Sequence, residues 1–167
     1  LCGKFGLRAT PGGIGSPACG PDHETVRIAG TALVVETTGS TAATSSLRLD
    51  SASLAQAAAL VGVDLNEPFE AGHDTPPLGD PDRLLAIDPA VARALAEWFR
   101  FGWEVLDATL ADLGATAAPS VIQLWPEHFD AGCDVAAAPG QRANLGASPG
   151  DSYSAQPYLY VGPWDDE

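Results

Sequence analysis

The stretch from Asp88 to Leu113, DPAVARALAEWFRFGWEVLDATLADL, constrains the fold more than any other part of the chain. Asp88 is a good N-cap, and proline at the first helical position costs little because that N–H has no intrahelical acceptor. Val91, Leu95, Trp98, Phe99, Gly102, Leu106 and Leu110 recur at helical spacing, while Arg93, Glu97, Arg100, Glu104 and Asp107 hold a narrower opposite side. The pattern predicts one long helix over about 89–113. Phe101, Trp103 and Val105 widen its apolar arc, so burial on more than one side is expected.

The flanking sequence has strand period. Phe5, Leu7 and Ala9 alternate with Lys4, Gly6 and Arg8, and a Gly/Pro-rich loop, PGGIGSPACGPD, follows. ETVRIAGTALVVET reads as a hairpin that reverses at Ala29-Gly30-Thr31. Thr37 to Ser46 has little to bury and is expected as a loop or weak edge. DSASLAQAAALVGV predicts a short helix over about 51–61, capped by Asp50 or Ser51 and leaving at Gly62. A long linker dense in Pro, Gly and Asp then leads to Asp88. After the long helix, SVIQLW, RANLGAS and PYLYVG are short apolar runs too close together for crossover helices. The expected fold is α+β, a mainly antiparallel sheet with the long and the short helix packed on it.

At 167 residues and 46% hydrophobic content, the chain is expected to form one domain spanning 1–167. The formal charge of −14 repels phosphate backbones and anionic bilayers, so neither nucleic acid nor membrane is an expected partner. The sequence contains no Met, even at position 1, so natural residues are expected upstream of Leu1. Cys2, Cys19 and Cys133 are odd in number and lack C-x-x-C spacing, which predicts reduced thiols and a cytoplasmic location.

Chemistry is best sought in WPEHFD, Trp125 to Asp130. In an extended segment, His128 and Asp130 would point to one side, so the imidazole could exchange a proton while Asp130 or Glu127 orients it. GASPGD, Gly146 to Asp151, is expected at the same end of the sheet, adding Ser148 and Asp151 to a polar rim. Trp125, Tyr158, Tyr160 and Trp164 would then form an apolar floor. The expectation is a small-molecule-binding domain, with acid/base chemistry at His128 in prospect. One alternative is a metal-dependent enzyme using His128, Asp130 and His73; another is a structural or protein-interaction module. Ser148 does not suit a nucleophile elbow, because Pro149 lacks the N–H an oxyanion hole needs. Neither a cofactor nor the oligomeric state is legible.

WPEHFD, GASPGD and PYLYVGPW together resemble an uncharacterised family of soluble bacterial proteins, mostly from high-GC organisms. GLRATPGG and the DTPPLGD loop extend the likeness more loosely. The resemblance implies membership and residues before Leu1, and assigns no catalytic residue.

Overall fold

The computed structural model describes residues 6–38, 42–67, 77–126 and 128–163. Strands β1 (Arg8–Thr10), β2 (Gly13–Gly15), β3 (Thr25–Ala29), β4 (Ala32–Thr37) and β5 (Ala43–Arg48) form one sheet in sequence order. Helices α1 (Leu54–Val61) and α2 (Pro89–Leu113) follow. Strands β6 (Gln123–Trp125), β7 (Asp130–Ala138), β8 (Gln141–Ser148) and β9 (Tyr158–Pro163) form a second sheet, again in sequence order. Every pairing is antiparallel, so the α+β architecture is as expected.

Leu7 links the two sheets by exchanging both backbone hydrogen bonds with Leu124 of β6, at 2.8 and 3.1 Å. The helix α2 contacts β1 and β2 of one sheet and β7 and β8 of the other. Its Phe99 is buried with Leu124 and Ala131, and Leu7, Ile14 and Leu95 pack around them. Leu106 continues the same face onto Ile122, Cys133, Val135 and Leu145. Gly102 lies between, where an added Cβ would come within 2.7 Å of the Ala147 methyl. A side chain there would force helix and sheet apart.

The wide arc of α2 is buried in part: Trp103 and Val105 are half-buried, whereas Phe101 is exposed. Phe101 is 44% exposed and stacks on Trp98 with ring centroids 5.6 Å apart, and Val91 is also exposed. The periodicity places Phe99, Gly102 and Leu106 inside, and Trp103 packs beside them against both core clusters, whereas Phe101 lies off this face.

Three further differences have local causes. The loop PGGIGSPACGPD contains β2, whose Gly15 pairs with Arg27, whereas the stretch before Ser46 opens the exposed edge strand β5, in line with the expected loop or weak edge. The α1 cap is Ser53 rather than Asp50 or Ser51: Ser53 accepts from the Gln56 N–H at 3.3 Å, and the Gln56 side chain accepts from the Ser53 N–H at 2.9 Å. Asp50 is already paired with Arg48. Ser53→Ala is expected to cost about 1 kcal/mol, measured by urea unfolding, whereas Ser51→Ala should cost almost nothing. Finally, Cys19 is disulfide-bonded, which corrects the reading of three reduced thiols and removes its argument for a cytoplasmic location. Cys133 is free and buried, and burial, followed by the nearby Asp134 and Asp107 carboxylates, pushes its thiol up. No described helix is long and apolar enough to cross a membrane.

Candidate functional site

WPEHFD is neither an extended segment nor a break within a strand. Trp125 ends β6 and Asp130 begins β7, with Pro126, His128 and Phe129 in the turn between them, closed by the Phe129 N–H donating to the Trp125 carbonyl at 2.7 Å. Phe129 has φ 54°, a left-handed conformation that a bulky residue rarely adopts. The reversal sets its ring edge-on against Phe99, with centroids 5.5 Å apart and planes at 87°. The sequence argument for His128 and Asp130 sharing a side therefore fails, because it assumed strand geometry. The two residues nonetheless line one cleft.

That cleft, of about 430 Å³, lies on the face of the second sheet turned away from α2. Register explains its composition. Trp125 pairs with Asp130, Gly132 with Gly146, and Gly146 with Tyr160, and paired residues share a face. Their neighbours Leu124, Ala131, Cys133, Leu145 and Ala147 point the other way, into the core. Trp125, His128, Asp130 and Tyr160 all line the cleft, as do Asp134 and Ser120.

Tyr160 organises this surface. Its ring lies across Gly146, where an added Cβ would overlap the ring and hydroxyl atoms, and its hydroxyl passes 3.4 Å from the Cβ position of Gly132. The hydroxyl donates to Asp130 Oδ2. Burial, then the hydrogen bond to Asp130, raises the Tyr160 hydroxyl well above the ordinary tyrosine range. Asp130 is 9% exposed, and its Oδ1 is buried with no hydrogen-bond partner among the described residues. Asp134, by contrast, is paired with Arg142, which also donates to the carbonyl oxygens of Ala118 at 3.0 Å and Asp134 at 3.3 Å.

Ser148, Asp151 and Tyr158 stand at the same end of the sheet, as expected, because β8 ends where β7 begins. They do not line the cleft. Ser148 is buried and accepts from the Gly150 N–H at 3.2 Å; Asp151 accepts from the Tyr153 and Ser154 N–H groups at 2.8 and 3.1 Å and from the Tyr158 hydroxyl at 2.6 Å. The Tyr158 bond, more than the amides, holds the Asp151 carboxyl below the usual range. These residues shape the β8–β9 loop, and Tyr158 abuts Tyr160 with ring centroids 6.1 Å apart. Glu127, His73 and Trp164 lie outside the described residues. Among the described residues no group of three His, Cys, Asp or Glu side chains could hold a metal.

Sequence reasoning missed two features. The first is β7 itself, whose alternation of Ala131, Cys133 and Val135 with Asp130, Gly132 and Asp134 was there to be read. The second is an apolar cavity of about 390 Å³ between α2 and the first sheet, walled by Ile14, Ile28, Leu49, Leu85, Leu95 and Phe99.

The Asp130–Tyr160 pair makes a pH prediction. A tyrosine whose folded pKa is raised stabilises the fold in its protonated form; that contribution is complete below the unfolded value of roughly 10 and is lost as pH rises through the folded value. Ultraviolet titration should show late tyrosinate components from Tyr160 and from Tyr158, whose hydroxyl is raised by its bond to Asp151, and Tyr160→Phe should remove the later of them. An unchanged latest component in that variant would assign it to another residue.

No family model, no curated protein and no solved structure matches this chain.

Proposed function

We propose that the cleft beside the β6–β7 turn binds a small molecule, with Asp130 and Tyr160 as its polar anchor and Trp125 as an apolar wall. The observation that carries this reading is the Asp130 carboxylate, buried in a cleft walled by aromatic side chains, with the Tyr160 hydroxyl as its one hydrogen-bond partner among the described residues. Burying a carboxylate oxygen without a partner costs stability, and ligand sites are where such groups are retained. His128 lines the same cleft, and imidazole is the side-chain type that exchanges protons around neutral pH, so the site is suited to recognition joined to acid/base chemistry. Ser148, Asp151 and Tyr158 are supporting residues in this reading, acting through the β8–β9 loop they shape. The metal-dependent alternative with His128, Asp130 and His73 has no comparable observation behind it. The likeness of WPEHFD, GASPGD and PYLYVGPW to an uncharacterised bacterial family is part of the same proposal, as is the absence of nucleic-acid partners for a chain of charge −14.

A fragment library screened by ligand-observed NMR tests the reading. Binders are expected that weaken about tenfold or more in Asp130→Asn and Trp125→Ala, the loss of one charge-assisted contact corresponding to about that factor. Hits that bind both variants as well as the unsubstituted protein would place recognition elsewhere and favour a structural or interaction module.

A further inference from the structure

We infer that the ligand of this cleft carries an organic ammonium group, one of whose N–H bonds is donated to Asp130 Oδ1. The inference rests on the cleft being a ligand site, and it specifies the chemistry that site would select.

Three observations converge on a cation. Asp130 is more than nine-tenths buried, and among the described residues its carboxylate accepts only from the Tyr160 hydroxyl, on Oδ2, which leaves Oδ1 in need of a donor. Within the cleft, the second carboxylate is satisfied: Asp134 is paired with Arg142, which also donates from Nη2 to the Ala118 and Asp134 carbonyls. Arg142 does not line the cleft, and His128 is the ionisable base among the residues that do. The walls are Trp125, 38% exposed, and the ring of Tyr160, and aromatic faces attract cations through their quadrupole. The field of the whole chain adds long-range attraction, because a net charge of −14 draws cations and repels anions.

An ammonium fits better than a planar guanidinium. A guanidinium binds a carboxylate best through two parallel N–H bonds to both oxygens, and Tyr160 already occupies Oδ2. A single donor to Oδ1, with its alkyl stem along Trp125, uses what is left. Tyr160 acts as a positioning residue here: its ring, seated on Gly146, orients the carboxyl without displacing a ligand from Oδ1.

The test uses three probes of matched size, n-butylammonium, 1-butanol and butyrate, titrated into the folded protein at neutral pH. The amide signals of Gly132, Gly146 and Tyr160 are followed by two-dimensional NMR. Butylammonium is expected to bind at least about tenfold more tightly than either other probe. Added salt should weaken it. Asp130→Asn should bring butylammonium and butanol within about threefold of each other, while Tyr160→Phe, which keeps the carboxylate, should retain the preference. If Asp130→Asn does not fold, the probe comparison in the unsubstituted protein and in Tyr160→Phe still decides. Equal or tighter binding of butanol or butyrate overturns the ammonium class and leaves the cleft standing as a ligand site. No response to butylammonium also overturns it, and the fate of the cleft reading then depends on the fragment hits and their sensitivity to Asp130→Asn and Trp125→Ala.

Discussion

Replacing Phe99 by alanine should cost about 3–5 kcal/mol in urea unfolding, the range for deleting a large buried aromatic. Phe99 is 1% exposed and sits where the α2 helix meets both sheets, against Leu124 and Ala131 from the second sheet and near Ile14 from the first. The surroundings cannot collapse into the space easily, because Leu124 is held on its backbone by Leu7 and Ala131 by β8. A second consequence distinguishes this site from an ordinary core position. The Phe99 ring is the edge-on partner of Phe129, whose left-handed backbone is unfavourable unless neighbouring contacts hold it. Phe99→Ala should therefore speed hydrogen exchange at the Phe129 amide, which closes the turn onto Trp125. A cost under about 1 kcal/mol, or an unaltered Phe129 amide, would show that the turn is fixed by its own residues rather than by the helix beneath it.

That dependence also explains which parts of the molecule were legible in the sequence. The ends of α2 were readable because Asp88-Pro89 is a local signal, and the structure realises it with Asp88 accepting from the Ala90 N–H at 2.7 Å. The meander was readable because short apolar runs with brief connections leave few pairings to choose from. The α1 cap was misplaced because Asp50 and Ser51 are equally good caps in isolation; the choice of Ser53 depends on Gln56 and on Asp50 being engaged by Arg48. The clustering of WPEHFD with GASPGD at one end of the sheet followed from antiparallel order. The detailed membership of the cleft did not. Asp151 and Ser148 are drawn into their own loop by nearby amides, whereas Asp130 is turned to Tyr160, a partner 30 residues away that no local pattern announces. The role of Gly132 and Gly146 was equally hidden, because a strand glycine reveals a close approach only when the crossing side chain is known.

Gly146→Ala offers the sharpest test of that arrangement, because the sign of its effect should depend on Tyr160. In a strand, alanine ordinarily stabilises relative to glycine by roughly 0.5–1 kcal/mol, since glycine loses more backbone freedom on folding. Gly146 has no left-handed backbone to protect, so no conformational penalty opposes the change. The obstacle is steric: the new methyl would occupy the space of the Tyr160 ring and hydroxyl. Tyr160 would have to leave, and its departure would strip the Asp130 carboxylate of the hydroxyl it holds. Overpacking of this kind costs about 1–3 kcal/mol, and leaving a buried carboxylate unpaired adds to it, so the single substitution should destabilise by roughly 3 kcal/mol. In a Tyr160→Ala background the ring is already absent. There Gly146→Ala should be neutral or mildly stabilising, giving a coupling of roughly 3 kcal/mol in the double-mutant cycle. Additive effects of the two substitutions would mean that the Tyr160 ring does not rest on Gly146 in solution. The polar anchor proposed for the cleft would then lose its support, since the position of the hydroxyl against Asp130 follows from where that ring lies.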